Sequence, residues 1–173
     1  MKYLRSLLSS RPLERVPKES YSRLVIDLTQ YRCGHSQLGY PPSGADFFSR
    51  TLTEKETFED TAHGFEVGVN HGNLNYLFIA VGKYPGEFKH RGKTLELSTD
   101  TTIDDVQTIF GAPYWLDDDT DETLLFYEDG TVEVQFEFPG KENLGFITIL
   151  LDPIMADPEQ RKGYGVTKPW PPR

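Results

Sequence analysis

The chain has 173 residues, of which 37% are hydrophobic and 13% aromatic, and its formal net charge is −9. A chain of this length buries roughly 70% of its unfolded surface and needs no disulfide or metal staple, and its large apolar groups exclude a disordered protein. Cys33 is the single cysteine, so an intrachain disulfide is excluded and a reducing, cytoplasmic setting is expected.

Residues Met1–Ser10 place Leu4, Leu7 and Leu8 among Lys2 and Arg5, too broken an apolar run for a signal peptide. The longest apolar stretch, around Leu144–Leu151, is far shorter than a membrane span of about 20 residues. Charge is unevenly divided. Met1–Arg23 carries Lys2, Arg5, Arg11, Arg15, Lys18 and Arg23 against Glu14 and Glu19, whereas Thr94–Gly140 has no Lys or Arg and thirteen carboxylates. Such an acidic surface repels phosphate backbones and argues against nucleic acid as a partner. It attracts a basic protein and speeds encounter with it.

In chain order, residues 1–20 form a basic N-terminal segment. A first unit over 21–93 begins with an expected helix at Tyr21–Tyr31, with Leu24, Val25 and Leu28 facing inward, although Leu24–Leu28 also reads as a strand. Gly64–Val69 and the run through Leu74, Leu77 and Ile79 read as strands.

A second unit over 94–151 opens on a helix after Thr102, a good N-cap with Asp105 three residues on. Ile103, Val106 and Phe110 give it one apolar stripe, and Gly111 and Pro113 stop it. An acidic connection over Asp117–Glu122 then leads to strands at Leu124–Tyr127, Val132–Phe138 and Phe146–Leu151. The alternation of Val132, Val134, Phe136 and Phe138 with Glu133, Gln135 and Glu137 predicts one buried and one wet face. Residues 152–173 form a Pro/Gly-rich tail, expected to be irregular and pinned to the body by Trp170, with a polyproline docking peptide at Lys168–Pro172 as the alternative.

Landmarks recur in order between the units. Leu38-Gly39-Tyr40-Pro41 parallels Phe110-Gly111-Ala112-Pro113, Gly64 parallels Gly130, and Gly72 with Leu74 parallels Gly140 with Leu144. The expected fold is α+β: two helix-plus-antiparallel-meander repeats joined into one curved sheet with helices on one face. This layout resembles the tandem-repeat beta-lactamase inhibitor proteins and the single-repeat SmpA/OmlA lipoproteins. The segment from Asp157-Pro158 to Trp170-Pro171-Pro172 looks like uncharacterised bacterial proteins linked to toxin–immunity systems. The resemblance implies a binding sheet and a protein target.

No catalytic, cofactor or metal constellation is expected. Asp117, Asp119, Asp121 and Glu128 match EF-hand positions 1, 3, 5 and 12, but Glu122 stands where the loop needs Gly, and an extended Leu124–Tyr127 carries Glu128 out of reach. Cys33-Gly34-His35 carries no nucleophile signature, and His35, His63, His71 and His90 lack ligand spacing. The expected function is non-enzymatic binding of a basic protein, as an inhibitor or immunity-type module. Asp117, Asp118, Asp119, Asp121 and Glu122 supply the charge, and Tyr114 and Trp115 act as aromatic anchors, unless these two fill the core. The alternative is a small-molecule or enzymatic site on the concave face of the sheet.

Overall fold

The computed structural model describes residues 16–53 and 55–170. The basic residues of 1–15 therefore lie outside the described part. Strand formation follows the alternation seen in the sequence. β4 (Thr57–Asp60), β5 (Phe65–Asn70) and β6 (Asn73–Ala80) form one antiparallel meander, and β10 (Glu122–Asp129), β11 (Val132–Pro139) and β12 (Phe146–Leu150) form another. β6 pairs with β12 antiparallel, Ile147 opposite Ile79, so both meanders belong to one seven-stranded sheet that ends on β9 (Trp115–Asp118).

The landmark glycines match in conformation. Gly64 and Gly130 turn into β5 and β11 at φ +60° and +63°, Gly72 and Gly140 turn into β6 and the loop before β12 at +79° and +71°, and Gly39 and Gly111 both have φ +84°. These left-handed values suit glycine, which has no Cβ to clash. The meanders thus recur in order, as expected. The helices do not.

The stretch expected as a first-unit helix, Tyr21–Tyr31, is helical only in its first two residues. α1 (Lys18–Ser22) ends there, and Val25–Asp27 is strand β1. Val25 and Ile26 are β-branched and favour the pleated surface. Asp27 then closes the strand, because its carboxylate accepts the backbone N–H groups of Thr29 and Gln30.

A second, five-stranded sheet accompanies the first and was not expected. β1 lies between β2 (Arg32–Cys33), which leads to β3 (Ser36–Gln37), and β7 (Glu87–His90), which leads to β8 (Lys93–Leu95). The β1–β7 pairing is parallel, with Ile26 opposite Phe88. The core contains Ile26, Cys33 and Phe88 from this sheet and Leu77, Ile79, Phe136 and Ile147 from the larger one. A short α2 (Ser49–Leu52) precedes β4.

The second-unit helix is α3 (Ile103–Phe110), with the expected capping box: Asp105 N–H donates to the Thr102 hydroxyl at 3.2 Å, and Thr102 N–H to the Asp105 carboxylate at 2.9 Å. Val106 is fully buried, and the Phe110 ring lies 4.9 Å from Phe136 and 4.5 Å from His90, so α3 bridges the two sheets.

The tail is more ordered than its composition suggests. Asp157 caps α4 (Pro158–Gly163) through Glu159 N–H, with Pro158 in the first turn where its missing donor costs nothing. Together with a 3-10 turn at Ile154–Ala156, the tail covers the outer face of β10 and β11. That face is the one expected to be wet. Instead Glu133 is fully buried and Gln135 is buried. No helix among the described residues is long and apolar enough to cross a membrane.

Candidate functional site

The acidic connection is partly a strand. Trp115–Asp118 pairs along β10, Trp115 opposite Phe126 and Asp117 opposite Leu124, and it forms the edge of the sheet. Cross-strand packing against Phe126 and Leu124 overrides the poor strand propensity of aspartate. Alternation divides the cluster. Trp115 and Asp117 share a face with Phe126, while Leu116 and Asp118 share the face of Leu125 and Thr123. Asp119 and Thr120 make the turn, where the Asp119 carboxylate accepts Thr120 N–H at 2.7 Å, and Asp121 and Glu122 lead into β10.

Charges set the local electrostatics. Burial, then Asp119 and Asp118, raises the Asp117 pKa. Hydrogen bonds from Lys141 and from the Thr123 hydroxyl hold Asp118 below the usual carboxylate range, with Lys141 Nζ at 2.8 Å. Glu128 stands at the far end of an eight-residue strand from Glu122. At about 3.3 Å per extended residue, it cannot share an ion with the aspartates.

The two aromatic residues are not free anchors. Tyr114 is 9% exposed. Its hydroxyl donates to the carbonyls of Lys168 and Pro169 at 3.2 and 3.3 Å, its ring meets Trp170 edge-on at 5.6 Å, and Lys168 Nζ donates back to the Tyr114 carbonyl at 2.7 Å. Tyr114, Phe126 and Met155 make a second apolar cluster under the tail, and Trp115, Tyr164 and Trp170 pack around it. Trp115 is half-buried, with a buried Nε1 that has no partner. Trp170 pins the tail, as the sequence suggested.

What the fold does gather is carboxylates from three segments at one end of the larger sheet. Gly140 N–H donates to the Asp121 carbonyl at 2.8 Å, which ties the β11–β12 loop to the acidic hairpin. Leu144 N–H donates to the Thr101 carbonyl at 3.0 Å, which ties the same loop to the start of α3 with Asp104 and Asp105. Asp118, Asp119, Asp121, Glu142, Asp104 and Asp105 are exposed there, and Lys141 of the same loop pairs with Asp118. Leu116, 40% exposed on the outermost strand, is one of two large apolar side chains exposed among the described residues.

The residues with nucleophilic potential have structural duties. Cys33 is fully buried, and burial followed by the Asp46 charge pushes its thiol well up, so it offers no thiolate. Ser36, His35 and Asp46 come together in the wrong order for a triad. The buried Asp46 is the hub, accepting from the Ser36 hydroxyl at 2.5 Å and from the His35 backbone at 3.1 Å, with His35 Nδ1 at 3.2 Å. A nucleophile needs the histidine between the other two, and Ser36 is 1% exposed. Asp60 likewise accepts from the Tyr21 hydroxyl at 3.0 Å, with His63 Nδ1 also at 3.0 Å, beneath stacked rings.

Sequence reasoning missed two features. A carboxyl pair, Glu128 with Glu133, lies under the tail, and nothing in the alternation of β11 marks that face as covered. An aromatic cleft lies between the sheets at the other end of β10. Two non-glycine left-handed residues, Tyr31 and Arg91, line it, yet no sequence signal marks that conformation in a tyrosine or an arginine.

No protein-family model matches the chain, and no curated protein matches it. Among solved structures, a DUF4309 family protein (YjgB) from Bacillus subtilis is similar at 14% identity with a TM-score of 0.37, over 65% of this chain and 72% of that one. A likeness at that level carries no argument about function.

Proposed function

We propose that the protein is a non-catalytic binding module that docks a basic protein partner on the acidic end of its larger sheet. The observation that carries this is the convergence of carboxylates from α3, the β9–β10 hairpin and the β11–β12 loop, held together by the Leu144–Thr101 and Gly140–Asp121 hydrogen bonds. A second feature supports it: the outermost strand β9 has an unpaired edge among the described residues and exposes Leu116 on the face it shares with Asp118. An exposed apolar side chain beside a charge suits an interface, and a free edge can accept a partner strand. The same charges also protect an edge from self-association, so the test must separate recognition from mere solubility.

The test is capture from cell extract on immobilised protein, with D117N/D118N/D119N/D121N beside the unaltered chain. Selective loss of one basic protein from the variant supports docking at this end. Equal recovery of the same proteins by both contradicts it.

A further inference from the structure

An open cleft of about 620 Å3 lies between the two sheets, at the opposite end of β10 from the acidic hairpin. Tyr31 and His90 line it from the smaller sheet, Phe110 and Ala112 from the end of α3, Tyr127 from β10 and Lys168 from the tail. A volume of this order suits a small organic ligand.

Two carboxyl groups line it beside the cations: Asp129 is engaged, and Glu128, which burial beside Glu133 keeps protonated, has both oxygens buried without a partner. Asp129 accepts from the Tyr31 hydroxyl at 2.7 Å, and the Gly111 carbonyl accepts from the Tyr127 hydroxyl at 2.8 Å. The donors are less occupied. Lys168 gives one hydrogen bond to the Tyr114 carbonyl, and an ammonium has three donors. Arg91 is exposed at the tip of the β7–β8 hairpin.

His90 adds a third donor. The Thr29 hydroxyl oxygen accepts Arg91 N–H at 2.6 Å and lies 3.1 Å from His90 Nδ1. The arrangement that gives this hydroxyl hydrogen an acceptor makes Nδ1 the acceptor, and a neutral ring then carries its hydrogen on Nε2. Burial, then Arg91, lowers the pKa of this histidine, which favours the neutral ring. Nε2 is buried and has no partner, a costly state for a polar group.

The backbone is left-handed at two lining positions. Arg91 holds φ +50° and Tyr31 φ +52°, a region that costs an L-residue roughly 1–2 kcal/mol and that glycine or asparagine would occupy more easily. Both side chains line the cleft, and the same conformation recurs away from it at His71 and Lys141.

We propose that this cleft binds a flat aromatic anion, its ring between Tyr31, Phe110 and Tyr127 and its acidic group toward Arg91, Lys168 and His90. Arg91 and Lys168 outnumber Asp129, the one ionised carboxylate of this lining, and the cleft stands apart from the acidic end proposed for a protein partner.

The probe is 1-anilinonaphthalene-8-sulfonate, an aromatic sulfonate that fluoresces when its rings leave water. Titration of the full chain should show one saturable site. Arg91→Asn, which fits the left-handed turn, should weaken binding about tenfold, as loss of a charge-assisted contact does. Ala112→Trp, an exposed position on the cleft wall, should abolish binding by filling the space. Lys141→Asn, at the acidic end, should bind as the unaltered chain does. The uncharged analogue N-phenyl-1-naphthylamine should bind much more weakly than the sulfonate. Melting curves that match for all variants exclude dye uptake by a loosened fold. No saturable site, unchanged binding by Arg91→Asn and Ala112→Trp, or equal affinity for the neutral dye would each overturn the proposal.

Discussion

Glu128 and Glu133 stand directly opposite each other across β10 and β11, on the face that the tail covers. Glu133 is fully buried and accepts Met155 N–H at 3.1 Å and the Gln135 side-chain amide. Two facing carboxylates cannot both ionise there. Burial, with Glu133 facing it, pushes Glu128 up to about 10, so it holds its proton at neutral pH.

The sign of the pH dependence follows. A carboxyl whose folded pKa exceeds its unfolded value of about 4.3 contributes fully below that value and loses the contribution as pH rises toward about 10. Glu128→Gln keeps the neutral hydrogen-bonding shape without the titration. The difference in melting temperature, variant minus unaltered chain, should therefore grow steadily from pH 5 to pH 9. A flat difference would place the pair in water rather than under the tail.

Trp170 tests the tail itself. Its ring packs on Tyr114 and lies 6.0 Å from the Arg161 guanidinium. Trp170→Ala should cost about 1–3 kcal/mol in urea unfolding, less than a full core truncation because the ring is half-buried. It should also speed proteolysis of the tail.

The matched turn glycines give a differential prediction. Gly64 and Gly130 share the left-handed conformation, so an alanine pays roughly 1–2 kcal/mol of backbone strain at either. At Gly130 the added methyl meets open space, whereas at Gly64 it would come 2.7 Å from Ala80 Cβ and 2.9 Å from the Ala80 carbonyl. Gly64→Ala should therefore destabilise by about 1–3 kcal/mol more than Gly130→Ala. Denaturant midpoints of the two variants check this.

These relationships mark how far the sequence was legible. The α3 cap, the meander strands and their turn glycines were readable because each is written locally, in a capping pair, a period of two or a left-handed turn. β1 was legible only as the alternative reading of Leu24–Leu28, and β2, β3, β7 and β8 were not, because strands of two to four residues carry too little periodicity, and Val25 meets Glu87 only through tertiary pairing. β9 was read as a connection because its aspartates look like loop, while its pairing with Leu124 and Phe126 decides otherwise. Glu133 was assigned to water because alternation reports two faces and cannot say that a tail will cover the polar one. The tail helix was legible after all: Asp157-Pro158 is a cap followed by a first-turn proline. In the candidate site, the charge of Asp117–Glu122 was readable, but the burial of Tyr114 and the donors around the cleft depend on elements distant in the chain.

The acidic end makes the most direct demand on experiment. A peptide of alternating arginine and valine can add a basic strand to β9, and stopped-flow anisotropy measures its association rate. Raising salt from about 0.1 M to 1 M shortens the Debye length from about 10 Å to about 3 Å, so the rate should fall severalfold while dissociation changes less. D117N/D118N/D119N/D121N should show the same slow association at low salt with little change in melting temperature, since the charges of Asp118, Asp119 and Asp121 are exposed and contribute little to stability, and at the half-buried Asp117 the substitution removes a charge that burial disfavours. An association rate indifferent to both salt and the four substitutions would contradict docking at this end of the sheet.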